Sequence, residues 1–250
     1  VPYRSPLTAA LFAMSMALPA QALDLGNLSE ADRALLREEI RAYLLDNPEV
    51  IMEAVAVLEQ RQAEDQAAAD IELVRANAEA LFNAPADWTG GNPQGDITLV
   101  EFMDYRCSYC RRAAPEVEAL LSADGNIRLV LKEFPILGEE SVAASRFAIA
   151  TKQVAGDAAY KSVHDALMSY SGAMNEAGFT RLAEALGLDA GPILAEMDSD
   201  AVTGVIAANH ALAQRLRING TPAFVMDERM LRGFLPQAQM QAIAAEIRAN

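Results

Sequence analysis

Cys107 and Cys110 are the only thiols in 250 residues, and only Ser108 and Tyr109 separate them. Two thiols at that spacing suit three chemistries: reversible disulfide exchange, half of a metal site, or a small structural staple. A staple across two residues restricts the unfolded chain little. Zinc commonly takes four Cys, His or carboxylate ligands. The only histidines, His164 and His210, lack the close pairing of common zinc motifs and read as ordinary helix-surface or core residues. Cu(I) is a softer match to two thiolates with Met168, Met174, Met197, Met226 and Met230, although methionines more often fill a core. Exchange needs an attacking thiol that ionises readily and a second thiol placed to resolve a mixed disulfide. Spacing alone leaves exchange and copper binding both open.

The flanking elements place the pair. "ITLVEFMDY", Ile97 to Tyr105, reads as a buried strand, and "RRAAPEVEALLSADG" as a helix ending near Gly125. The cysteines therefore sit where a strand ends and a helix begins. Free N–H groups and the helix dipole favour negative charge there, so Cys107 is expected to hold a thiolate more easily than a free cysteine. Cys110 lies one turn on, within reach to resolve.

"IRLVLKEFPI" reads as a second strand. A helical stretch follows, from Glu139 to about Leu216, with breaks near Gly156, Gly172 and Gly187. "TPAFVM", Thr221 to Met226, reads as a short strand, "RMLRG" as another, and "PQAQMQAIAAEIRAN" as a closing helix with Pro236 near its start. The order strand, helix, strand, helices, two strands, helix is α/β. A cis peptide at Thr221–Pro222 would set that loop beside the cysteines and expose backbone to a substrate strand. An ordinary trans proline is the alternative.

Upstream, Arg4, the apolar run Leu7 to Pro19 and "AQA" ending at Ala22 fit a cleaved export signal over 1–22. The run is shorter than the roughly 20 apolar residues a bilayer crossing needs. Residues 23–84 read as a helical segment. Ser29 and Asp32 form a capping box with Leu28 as staple, Asn47 caps a second helix and Pro48 opens it. Its apolar stripe must pack on its own domain or against other copies. The Gly/Pro/Asn-rich stretch 83–96 marks a boundary, and 85–250 form the second domain with a helical insertion at about 139–216. A net charge of −15 argues against a nucleic-acid partner. Export would place the thiols in an oxidising compartment, where a disulfide persists.

Three motifs in order, "VEFMDYRCSYCRRAAPEV", "LVLKEFPILGEES" and "RINGTPAFVM", resemble the DsbA-like branch of thioredoxin-fold thiol–disulfide oxidoreductases. The resemblance spans about Ile97 to Asn250. It implies Cys107 as nucleophile, Cys110 as resolving thiol, and Pro222 as a cis-proline preceded by Thr221. Glu101, six residues before Cys107, falls where the family often has a buried acid. Burial would raise its pKa and let it shuttle a proton; a surface glutamate at a strand end is the alternative. Lys132 is carried over as its partner.

The segment "LREEIRAYLLDNPEVIMEAVAVLEQRQ" is similar to the N-terminal helices of ScsC-like members, some of which oligomerise through them. That implies a dimer or trimer through residues 28–82. Ser108–Tyr109 and Thr221 look closer to isomerase and reductase members than to strong oxidases, with a DsbA-type oxidase as the alternative. The expected protein is a periplasmic enzyme acting on cysteines of exported proteins, exchanging electrons with a membrane partner. The family needs no cofactor and no metal. A periplasmic copper-binding protein is the reading from a different class.

Overall fold

The computed structural model describes residues 28–249, so the expected signal segment lies outside the described residues. The chain divides into two compact units, with the division after Gln60. Helix α1, Glu30–Asp46, starts where the sequence expects. The Ser29 side chain accepts from the Asp32 N–H, and the Asp32 carboxylate accepts from the Ser29 backbone. Asn47 behaves differently from the reading of it as an N-cap. Its Nδ2 donates to the Tyr43 carbonyl at 2.9 Å, beside its own backbone N–H, which donates to the same carbonyl at 2.8 Å, so Asn47 closes α1. Helix α2 then runs from Glu49 to Ala76. Within the first unit no α1 residue is buried, and Leu35, Ile40, Tyr43, Met52 and Leu58 are exposed.

The second unit begins within α2 and is built on a five-stranded sheet. Its strands are β1 (Trp88–Gly91), β2 (Ile97–Met103), β3 (Ile127–Glu133), β4 (Ala223–Met226) and β5 (Arg229–Arg232). Their spatial order is β1-β3-β2-β4-β5. β2 and β3 are parallel, joined through helix α4, Ser108–Asp124; every other pairing is antiparallel. β2 and β3 are buried along almost their whole length, as central strands with both faces covered must be. β1 falls inside the stretch read as a boundary. Four residues ending in two glycines carry little strand signal, and pairing with β3 makes the strand. Gly125, in the left-handed conformation at φ 70°, closes α4, as glycine does at helix ends.

Helices α3 (Ala78–Phe82), α5 (Glu139–Ser169), α6 (Glu176–Ala185), α7 (Ala190–Glu196), α8 (Asp200–Arg215) and α9 (Gln237–Ala249) are the other elements of the described residues. The backbone leaves helical geometry at Gly156, at φ 84°, where glycine has no Cβ to clash. Trp88 Nε1 donates to the Asp157 carbonyl beside this kink at 3.0 Å.

Alternation along the central strands makes two apolar layers. Ile97, Leu99 and Met103 join Val117, Leu120, Phe147, Val163 and Met240 on one face. Val100 and Phe102 join Val74, Leu81, Leu212 and Leu216 on the other. The chemistry lies at the end of β2, on the first face.

Candidate active site

β2 delivers the chain to a tight turn. The Cys107 N–H donates to the Asp104 carbonyl at 3.1 Å, and Cys107 becomes the N-cap of α4. Its thiol makes no cap hydrogen bond. It donates instead to the Thr221 carbonyl at 3.2 Å. That bond brings two segments far apart in sequence together at one sulfur, and the Thr221–Pro222 peptide there is cis. Beside them lies a cleft of about 260 Å³ lined by Ile218, Gly220, Thr221, Pro222, Arg232 and Gly233.

Cys110 is fully buried in the first turn of α4. Burial pushes its thiol well above the ordinary range, and the nearby Glu101 charge adds to the effect. Glu101 is itself buried. It sits level with Leu131 of β3 and Phe224 of β4, and its Oε1 has no hydrogen-bond partner among the described residues. Burial raises its carboxyl to about 8, with the Glu118 charge contributing. Such a carboxyl is neutral near pH 7 and titrates within working range.

Lys132 does not partner Glu101. The parallel register places it opposite Phe102, so period-two alternation turns it to the other face of the sheet. There its Nζ pairs with the Asp87 carboxylate and donates to the Ala80 carbonyl. The named methionines are core. Met168, Met174 and Met226 are buried in the first apolar layer, Met197 packs against it, and Met230 packs against the second. Among the described residues, no three His, Cys, Asp or Glu side chains converge as metal ligands would.

A buried polar cluster that sequence reasoning missed lies under the turn. The Glu133 carboxylate accepts from the hydroxyls of Tyr105 (2.8 Å), Tyr160 (2.7 Å) and Ser145 (2.7 Å). Burial raises its carboxyl to about 7, against the pull of these donors. Tyr105 Oη also lies 3.2 Å from His164 Nδ1, and burial lowers that imidazole to about 3. The only local hint was composition: Glu133 ends a buried strand, and Tyr105 follows one.

Residues 98–245 match the family model of the DSBA-like thioredoxin domain, more than half of the chain. The chain belongs to that family. As a DsbA-like protein it also carries, over residues 32–65, a match to the family described as the copper resistance protein ScsC N-terminal domain. A thioredoxin-like oxidoreductase from Silicibacter pomeroyi DSS-3 superposes with a TM-score of 0.65 at 46% identity, covering 69% of this chain and 98% of that one. A linker-deletion mutant of Proteus mirabilis ScsC superposes with a TM-score of 0.65 at 25% identity, covering 89% and 97%. A curated relative, a Na(+)/H(+) antiporter NhaA 3 of Salinispora tropica, is 29% identical over 147 residues. The chain covers 59% of its own length in that match but only 22% of the antiporter's. The DsbA-like fold thus has the thioredoxin-like sheet with the helices α5 to α8 inserted between β3 and β4.

Proposed function

We propose that this DsbA-like protein is an exported thiol–disulfide oxidoreductase acting on protein cysteines, working in the periplasm as an isomerase or reductase. The observation that carries the reading is the meeting of Cys107 with the Thr221 carbonyl beside cis-Pro222. The Cys107 thiolate attacks a substrate disulfide. One S–S bond breaks and a mixed disulfide forms, releasing a substrate thiolate. Cys110 then attacks the Cys107 sulfur, forming the Cys107–Cys110 disulfide and releasing the substrate as a thiolate, or a second substrate thiol attacks the substrate sulfur, forming a new substrate disulfide and releasing the Cys107 thiolate. Glu101 accepts or returns the Cys110 proton.

Ser108–Tyr109 and Thr221 favour reshuffling over oxidation, because the residues between and beside the thiols tune redox poise. The exposed apolar side chains of α1 and early α2 support self-association through residues 28–82, which would present several sites to one substrate. Among the described residues no helix is long and apolar enough to cross a membrane. A membrane redox partner and cysteine-containing exported substrates complete the proposal.

The test uses scrambled, fully oxidised ribonuclease with the reduced protein. Recovered ribonuclease activity, lost in Cys107→Ala, is the expected result. Rapid oxidation of reduced ribonuclease without reshuffling would make the protein an oxidase. Tight stoichiometric Cu(I) binding with no exchange would overturn the reading.

A further inference from the structure

Asp104 is fully buried, and its two carboxylate oxygens collect four donors from three parts of the chain. Oδ1 accepts from the Arg106 N–H at 2.7 Å and from the Ser141 hydroxyl at 2.8 Å. Oδ2 accepts from the Ile136 N–H at 2.8 Å and the Leu137 N–H at 3.1 Å. Its own carbonyl receives the Cys107 N–H. One residue therefore ties together the turn that presents Cys107, the segment between β3 and α5, and the first turn of α5.

That segment is not ordinary core. Leu137 is 53% exposed, although its N–H is held by a buried carboxylate three residues before the cysteine. An exposed leucine whose backbone is clamped to the same residue that anchors the Cys107 turn is suited to contact a substrate. A carboxylate suits the clamp because it only accepts, and it offers enough lone-pair positions for all four donors. An asparagine of the same shape cannot replace it. Whichever way its amide lies, the NH₂ would face donors and forfeit their bonds.

We propose that Asp104 is a positioning residue that locks the Leu137 segment to the Cys107 turn, so that the substrate-contacting wall and the nucleophile are held as one unit. The inference rests on the exchange reading for its consequence, while the clamp itself is testable without it.

The experiment compares Asp104→Asn and the milder Ser141→Ala in a Cys110→Ala background. Two reactions of Cys107 are followed at a pH where each variant's alkylation has reached its plateau. One is alkylation by iodoacetamide. The other is attack on a peptide disulfide, where the peptide S–S breaks, the mixed disulfide forms and one peptide thiolate leaves. Amide hydrogen exchange at Ile136 and Leu137 is read in parallel. Asp104→Asn should slow the peptide reaction at least about tenfold and alkylation less than about threefold, the scale of lost charge-assisted hydrogen bonds. Exchange at Ile136 and Leu137 should quicken by about tenfold or more while that of β2 and β3 holds. Ser141→Ala should move all three readouts in the same direction by less, and it decides alone if Asp104→Asn does not fold. Equal slowing of both reactions, or unchanged exchange at Ile136 and Leu137, overturns the proposal. Absence of any peptide reaction in the parent, with the exchange effect present, overturns the oxidoreductase reading and leaves the clamp standing.

Discussion

The Cys107 thiol donates to the Thr221 carbonyl at 3.2 Å across a separation of 114 residues. Neither partner explains the other locally. The first is placed by a strand-to-helix turn, and the second by the loop that enters β4. The bond lasts only while Cys107 carries its proton, because a thiolate has none to donate to a carbonyl. Ionisation therefore frees the sulfur and the carbonyl at the same step, leaving the carbonyl open to an N–H of an incoming chain.

The two thiols should react unequally. Cys110 is fully buried and its ionisation is suppressed, first by burial and then by Glu101. Brief treatment of the reduced protein with iodoacetamide near pH 7, followed by peptide mapping, should label Cys107 at least about tenfold more than Cys110, since the thiolate is the nucleophile. Equal labelling would remove the division of labour proposed for the pair.

Glu101 gives stability a pH dependence of known sign. Its carboxyl is raised from 4.5 to about 8 in the folded protein. Between those values the folded state holds the proton that the unfolded state has released, so stability is full below 4.5 and is lost as pH rises through 8. Glu133, raised from 4.5 to about 7, acts in the same direction. Urea unfolding across pH 4 to 9 should show Glu101→Gln more stable than the parent by about 1–3 kcal/mol at pH 8, with a shallower alkaline decline. The slope that Glu133 contributes should remain. A variant that declines in parallel with the parent would mean that Glu101 reaches water.

His164 acts at the opposite end. Its imidazole is lowered from 6.5 to about 3, chiefly by burial and then by the Lys161 charge. The unfolded state binds the extra proton between those values, so stability falls as pH drops from 6.5 toward 3. His164→Gln, which cannot charge, should flatten this acid limb, by up to about 1.4 kcal/mol per pH unit where the parent titrates fully. Near-ultraviolet circular dichroism during acid titration measures it, with Tyr105 and Tyr160 as reporters packed on the ring.

The Lys132–Asp87 pair should be costly to break and cheap to replace. Both side chains are almost fully buried. Burial lowers the lysine and raises the aspartate despite their pairing, so desolvation outweighs attraction for each. Lys132→Met leaves Asp87 buried without its cation and should cost about 3–5 kcal/mol in urea unfolding. Adding Asp87→Leu should restore most of that loss. If the double variant is no better than the single one, the pair contributes more than its own neutralisation.

Self-association should depend on the exposed apolar side chains of the first unit. Ile40 is 50% exposed and Leu58 is 55% exposed, on helices that bury no residue in that unit. Ile40→Glu with Leu58→Glu should convert an oligomer to a monomer in sedimentation equilibrium while leaving Cys107 alkylation unchanged, because charges are excluded from apolar interface cores. A parent that is already monomeric at tens of micromolar would refute the association proposal.

Local chemistry made much of this protein legible from sequence. The cysteine pair is placed by a buried apolar run followed by a helical pattern, both readable by period. The capping box at Ser29 and Asp32, the glycine stop at Gly125 and the helical insertion after Glu139 follow from residues within a few positions of each other. The motif order around that insertion carried the family.

What remained depended on which residues from distant segments face one another. The parallel register of β2 and β3 put Lys132 level with Phe102 and so on the opposite face from Glu101, a distinction that strand alternation makes absolute but that no spacing in the chain reveals. β1 exists because β3 offers it a partner. The roles of Asp104 and Glu133 come from donors supplied by α5 and by the segment before it. A carboxylate near a cysteine is common in sequence; only folding determines whether it is solvated, paired or sealed inside, and that sets its charge.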